Sequence, residues 1–219
     1  MTNRQNVDNK QTDNKFIATS WRKQPEHQGG FLLDGGVHFT AALRILLGED
    51  NPIESLVAYS TCQLERLAPV DTVHATLRTT GRGDGKAGTG ALGSFVMTFA
   101  GGASYDVWDF VVVCERGSVT ATGTKVVVTE RVPSAAAAAE DTDSSSGGKK
   151  PRVWEREFER TTGVKEEVKA WAEAITSGRR PDARLDPEEA LADLELVEAM
   201  LESGAARGSQ QTLSHQRRP

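Results

Sequence analysis

The chain has 219 residues, 37% of them hydrophobic, a formal net charge of -5 and a sequence pI near 5.5. That length can bury a core and suggests one domain or at most two, while the acidic balance, without a long basic face, excludes nucleic acid as the main partner. Cys62 and Cys114 sit in apolar strand-like runs at no metal-ligand spacing, so they are expected as buried thiols in a reducing compartment.

Residues 1–15 are polar and rich in Asn and Gln, read as a disordered leader without the apolar segment of a signal peptide. No apolar run is read as reaching membrane-spanning length, so a cytoplasmic protein with no membrane partner is expected. Residues 16–22, FIATSWR, combine β-formers with a tryptophan and read as a strand, feeding a loop that delivers Trp21, Arg22 and Lys23 to the next element. That element is GGFLLDGGVHFTAALRILLG, residues 29–48, a glycine-flanked turn leading into an apolar helix. With the helix starting at or just after Asp34, Asp34 and His38 share one face a turn apart, beside the small residues Ala41 and Ala42. Phe39, Leu43, Leu46 and Leu47 lie round the other side, and Gly48 stops the helix.

After the break GEDNP, the runs SLVAYSTCQL, VDTVHATLRTT and ALGSFVMTFA read as strands, and residues 103–132 add two more with a tight turn at Glu115–Gly117. Short links favour an antiparallel meander in a single open sheet. Residues 134–150 are low-complexity and read as a disordered insertion within the domain, before the strand-like PRVWEREFERT. Val164, Val168, Trp171, Ala172 and Ile175 recur at helical spacing, with an apolar face directed to the core and Gly178 as the stop. A last helix begins with Asp186 as N-cap, Pro187 at the first position and Glu189 at capping-box spacing; Leu191, Leu194, Val197 and Leu201 face inward and Gly204 closes it. Residues 205–219 return to polar composition and are expected to be disordered. The fold class is therefore α+β, an open, mainly antiparallel sheet with helices packed on one face, over residues 16–204.

GDGKAG at residues 83–88 matches the dinucleotide fingerprint G-x-G-x-x-G, but strand material rather than a helix follows it, so it reads as a hairpin loop. The histidines His27, His38, His74 and His215 form no cluster with each other or with cysteine, so no metal is expected. Two readings of Asp34 and His38 stand side by side. In one, Asp34 caps the helix and His38 is a partly buried side chain; in the other, Asp34 orients or charges the imidazole, and His38 moves a proton on a substrate hydroxyl or carbonyl. Chemistry alone does not separate them. Trp21, Arg22 and Lys23 would give a stacking surface and cations for a sugar, polyol or acid, or else form an amphipathic rim.

The run SWRKQPEHQGGFLLDGGVHFTAALRILLG, with D-x-x-x-H after a Gly-Gly turn, resembles the opening of the C-terminal domain in the Gfo/Idh/MocA family of NAD(P)-dependent oxidoreductases. The resemblance continues through VKAWAEAITSGRRP and EEALADLELVEAMLESG, and so spans roughly residues 16–204. It implies an open antiparallel sheet whose exposed face makes a homo-oligomer and a small-molecule substrate. It also implies His38 as the proton-transferring residue with Asp34 beside it, and Trp21 and Arg22 bordering the pocket. NAD(P) is implied as cofactor, yet neither the family's Rossmann domain nor its Glu-Lys-Pro segment is recognisable here. The expectation is the substrate half of such an enzyme, inactive by itself, or alternatively a non-catalytic assembly module.

Overall fold

In β2, Thr72–Thr79, period-two alternation sends Val73, Ala75 and Leu77 to one buried face and His74, Thr76 and Arg78 to the other. The same logic organises the chain in a computed structural model that describes residues 19–26, 29–81, 90–101, 108–131 and 150–216. It divides into two compact units, one of residues 1–106 and 166–219, the other of residues 107–165.

The first unit holds a four-stranded antiparallel sheet in the order β3-β2-β1-β8, with β1 at Ile53–Thr61, β3 at Leu92–Thr98 and β8 at Gln211–Thr212. Its β1–β2 link is fixed by a buried carboxylate: Asp71 Oδ2 accepts the Gln63 and Leu64 backbone N–H groups at 2.9 and 2.7 Å, and Oδ1 accepts the Thr72 hydroxyl at 2.8 Å. Its helices are the one-turn α1 (Ser20–Lys23), α2 (Gly30–Leu47), all but the first two residues of α3 (Val164–Ser177), and α4 (Pro187–Ala205); α4 packs on β1 and α2 packs on α4. The core lies between sheet and helices, with Leu32, Leu56, Val73, Phe95, Leu196 and Met200 among its residues. Gly204 lets α4 approach β1, because a Cβ there would collide with the Ser60 hydroxyl and lie 2.7 Å from Ser60 Cβ. One residue earlier, the buried Ser203 hydroxyl accepts the Ala58 N–H at 2.7 Å and donates to the Ser209 carbonyl at 2.6 Å.

The second unit is a four-stranded meander, β4 (Asp109–Cys114), β5 (Gly117–Thr122), β6 (Lys125–Glu130) and β7 (Arg152–Glu157), antiparallel throughout. Val119 faces Val128, and Val128 faces Trp154 across the strands. None of its described residues is buried.

The α+β class with open antiparallel sheets and helices on one face is the observed architecture. Several details differ from the sequence reading. The strands form two sheets rather than one, and residues 108–131 supply three strands rather than two, since the Thr122–Lys125 link is itself a tight hairpin. Ser20–Lys23 is a helical turn, not a strand; that turn lets Arg22 Nη1 reach back to Thr19 Oγ1 at 3.1 Å. The α3 face of Val164, Val168, Trp171 and Ile175 is exposed, with Trp171 at 54%, and only Ala174 is buried in that helix. On α4, Val197 and Leu201 are buried as expected, whereas Leu191 and Leu194 are 46% and 39% exposed; Ala192, Leu196 and Met200 complete the inward stripe. Asp186 is the N-cap residue of α4 without a side-chain capping bond, its carboxylate accepting Arg180 instead at 2.9 Å, and the helix passes through Gly204 to Ala205. Both cysteines are exposed and free: Cys62 lies one residue past the end of β1, and Cys114 ends β4 in a sheet with no buried residue among those described.

The segment expected to be a disordered tail is folded through Gln216. Glu195 collects it: Oε1 accepts the Ser214 N–H at 2.6 Å and hydroxyl at 2.9 Å, and Oε2 accepts the His215 N–H at 3.0 Å and Gln216 Nε2 at 2.9 Å. Burial alone would raise the Glu195 pKa, but these donors outweigh it and hold the carboxyl below its ordinary value. The leader, the motif at 83–88, nearly all of the 134–150 insertion and residues 217–219 lie outside the described residues. Contrary to expectation, α2 has the length, 18 residues, and the apolar character, mean hydropathy 1.3, to cross a membrane. Its contacts are those of a globular domain's helix, packed on α4 and carrying ion-paired Asp34 and Arg44.

Candidate functional site

Gly29 and Gly30 adopt φ of +96° and +48°, a turn that L side chains disfavour, and α2 starts there rather than at Asp34. Asp34 therefore stands in the second turn and is not the N-cap, which removes the capping reading of this residue. His38 follows one turn later on the same face, exposed, and makes no hydrogen bond among the described residues.

The carboxylate of Asp34 is turned toward α1. Arg22 Nε and Nη2 both donate to Asp34 Oδ2, at 2.8 and 2.7 Å, in a half-buried ion pair. The same guanidinium lies 4.0 Å from the centre of the Trp21 ring, which is 53% exposed. One arginine thus ties the α1 turn to α2 and stiffens the adjacent indole, so an exposed aromatic plane, a paired carboxylate and an accessible imidazole share one end of the first unit. The side chain of Lys23 lies outside the described residues.

Sequence reasoning brought Trp21 and Arg22 close to α2 but gave Arg22 the role of a free cation and Asp34 that of the imidazole's partner; the structure joins those two charges to each other. It also missed Arg44, whose guanidinium binds Glu189 Oε2 at 3.0 Å, Asp193 Oδ1 and the Glu189 carbonyl. Burial, joined by the nearby Glu189 charge, holds the Asp193 pKa above its ordinary value against the opposing pull of Arg44. The i, i+4 spacing of Glu189 and Asp193 opposite a helix-terminal arginine was the available signal. Asp71 and Ser203 were missed as well, and neither has a local sequence signature.

A dinucleotide cofactor needs a parallel strand–turn–helix unit whose helix N-terminus meets the pyrophosphate. Every strand pairing among the described residues is antiparallel, so these residues do not fit a whole NAD(P) molecule. Among them there is also no cluster of three His, Cys, Asp or Glu able to hold a metal.

Comparison with known proteins is consistent with this geometry. The Gfo/Idh/MocA family described as "Oxidoreductase family, C-terminal alpha/beta domain" matches residues 2–210. Dehydrogenase FPY6 of Fusarium mangiferae is 38% identical over 200 residues, covering 90% of this chain and 50% of that protein. The chain spans about half the length of the curated relatives it matches. Among solved structures, an oxidoreductase of Thermotoga maritima aligns with a TM-score of 0.65 at 24% identity, over 92% of this chain and 49% of its own. The WlbA dehydrogenase of Bordetella pertussis, solved with NADH and UDP-GlcNAcA, aligns with a TM-score of 0.58 at 20% identity, over 90% and 50%. At these identities the two structures speak to the fold.

Proposed function

The chain belongs to the Gfo/Idh/MocA oxidoreductase family as a C-terminal alpha/beta domain, and from that premise we propose that it forms the substrate side of an NAD(P)-dependent oxidoreductase acting on a sugar, polyol or related hydroxy or carbonyl compound. The observation that supports this reading is the Arg22–Asp34 pair, which sets α1 with its exposed Trp21 against α2 one turn from the unbonded His38. His38 is the group that takes a proton from a substrate hydroxyl, since its imidazole is exposed and carries no hydrogen bond among the described residues that would occupy it. Trp21 offers a flat apolar face to the ring or chain of the substrate. Asp34 and Arg22 keep that surface in place. NAD(P) is held by a domain other than the described residues, so these residues alone turn over no substrate. Two exposed free thiols suit a reducing, cytoplasmic setting.

The test is a binding titration on the purified chain. NADH or NADPH fluorescence should show no micromolar binding, and sugars and polyols should perturb the Trp21 and His38 NMR signals. Micromolar nucleotide binding would overturn the division of labour, and perturbations that persist in Trp21→Ala and His38→Ala would overturn the site.

A second reading is favoured by the uncovered face of the first sheet, where Tyr59, Leu92 and Val96 are exposed. On it, the chain is a non-catalytic module pairing with a second copy through that face. Sedimentation equilibrium decides: a strict monomer at high micromolar concentration removes this reading.

A further inference from the structure

Arginine recognises a carboxylate or phosphate with the flat fork of its N–H groups, and a site built for an acid leaves that fork open. At the Trp21–His38 surface the fork is taken. Arg22 Nε and Nη2 both donate to Asp34 Oδ2, Nη1 donates to Thr19 Oγ1 at 3.1 Å, and one face of the guanidinium lies against the Trp21 ring. All three nitrogens of the guanidinium are engaged. The arginine is also the inner partner of the pair, its side chain 13% exposed against 34% for Asp34, so the pair turns its negative end to solvent.

What this surface offers a ligand is therefore a pair of acceptors. Both of Arg22's bonds to Asp34 fall on Oδ2, and Oδ1 accepts no hydrogen bond among the described residues. His38, exposed and without a hydrogen bond among the same residues, stands one helical turn along, which puts the two Cβ atoms about 5–6 Å apart. Acceptors at that separation beside a flat indole suit a ligand that donates from neighbouring hydroxyls and lays its C–H surface on the ring. A carboxylate or phosphate in the same place would face the Asp34 carboxylate and meet a guanidinium already committed. We propose that this surface selects an uncharged polyhydroxy compound, a neutral sugar or polyol whose adjacent hydroxyls donate to Asp34 Oδ1 and His38, and rejects sugar acids and sugar phosphates. Asp34 is then a specificity residue, accepting one substrate hydroxyl while keeping Arg22 from anions. The inference rests on the sugar or polyol reading of the surface and narrows it.

Matched ligands test it on the purified chain, followed through the Trp21 indole and His38 imidazole NMR signals at constant ionic strength. One pair is methyl α-glucopyranoside and its uronate, the other glucitol and gluconate; within each pair a single hydroxymethyl group is exchanged for a carboxylate. The neutral member should bind about tenfold more tightly than its acid. In Asp34→Asn the amide oxygen can still accept from Arg22, but the guanidinium charge is no longer balanced, and the order within each pair should reverse. Acids that bind the unaltered chain as tightly as their neutral partners, or a preference that survives unchanged in Asp34→Asn, would overturn the selectivity and leave the sugar surface standing. Silence of both signals toward every one of these compounds would overturn the surface itself, and this inference with it.

Discussion

The two sheets have the same number of strands and the same antiparallel pairing, yet among the described residues one carries a core and the other carries none. In β2 the alternation of Val73, Ala75 and Leu77 with polar residues ends in burial because α4 and α2 lie over the sheet. In β6 three successive valines, Val126 to Val128, would suit a strand covered on both faces, but all are only half-buried, and Val113 on β4 is 80% exposed. Periodicity specifies a strand; what covers it depends on helices elsewhere in the chain. Stability should therefore be concentrated in the first sheet, with the second among the first parts to open.

The sharpest test of that contrast is Met200→Ala, which empties a fully buried site between α4 and the sheet and should cost about 2–5 kcal/mol by chemical denaturation. A loss as small as a surface substitution's would mean the core is not where the burial places it. Next comes Gly204→Ala, which drives a methyl into Ser60 and should cost about 1–3 kcal/mol, with the amides of β1 and α4 shifting together in NMR spectra. In the second sheet, Val119→Ala should cost under about 1 kcal/mol, and β5 amides should exchange faster than those of β2; equal protection of the two strands would break the comparison.

The smallest effect expected is in the pH dependence. Because the folded Glu195 carboxyl titrates below its unfolded value, its stabilisation is complete above the usual glutamate range and is lost as pH falls through the lowered folded value. Glu195→Gln should flatten the stability curve across that window. Asp193, raised by burial, acts with the opposite sign: its share falls as pH rises from the usual aspartate range through the raised value. A steeper acid limb in Glu195→Gln would contradict the hydrogen-bond account of that residue.

What could be read from the chain beforehand follows the range of the interactions. The α4 start at Asp186 and Pro187, the end of α2 at Gly48 and the strands from β1 to β3 rest on neighbours in sequence, and they were legible. The segment to Gln216 was not, because its polar composition hides that one side chain 19 to 21 residues earlier captures its N–H groups. In the same way Trp21, Arg22, Asp34 and His38 could be grouped from their spacing, whereas the Arg22–Asp34 pairing across 12 residues needed the bend at Gly29 and Gly30. The exposed side of α3 shows the same limit, since a helical stripe does not name its cover.

The pairing of Gln211 and Thr212 with β1 has a practical consequence. These two residues and Leu213, whose N–H meets the Glu54 carbonyl at 2.9 Å, occupy the outer rim of an otherwise long strand. Removing them would leave a row of unpaired backbone groups along β1, a ready template for another chain. Shortened versions of this protein that stop after α4 should therefore self-associate by strand addition, and any affinity handle belongs beyond Gln216 rather than in its place.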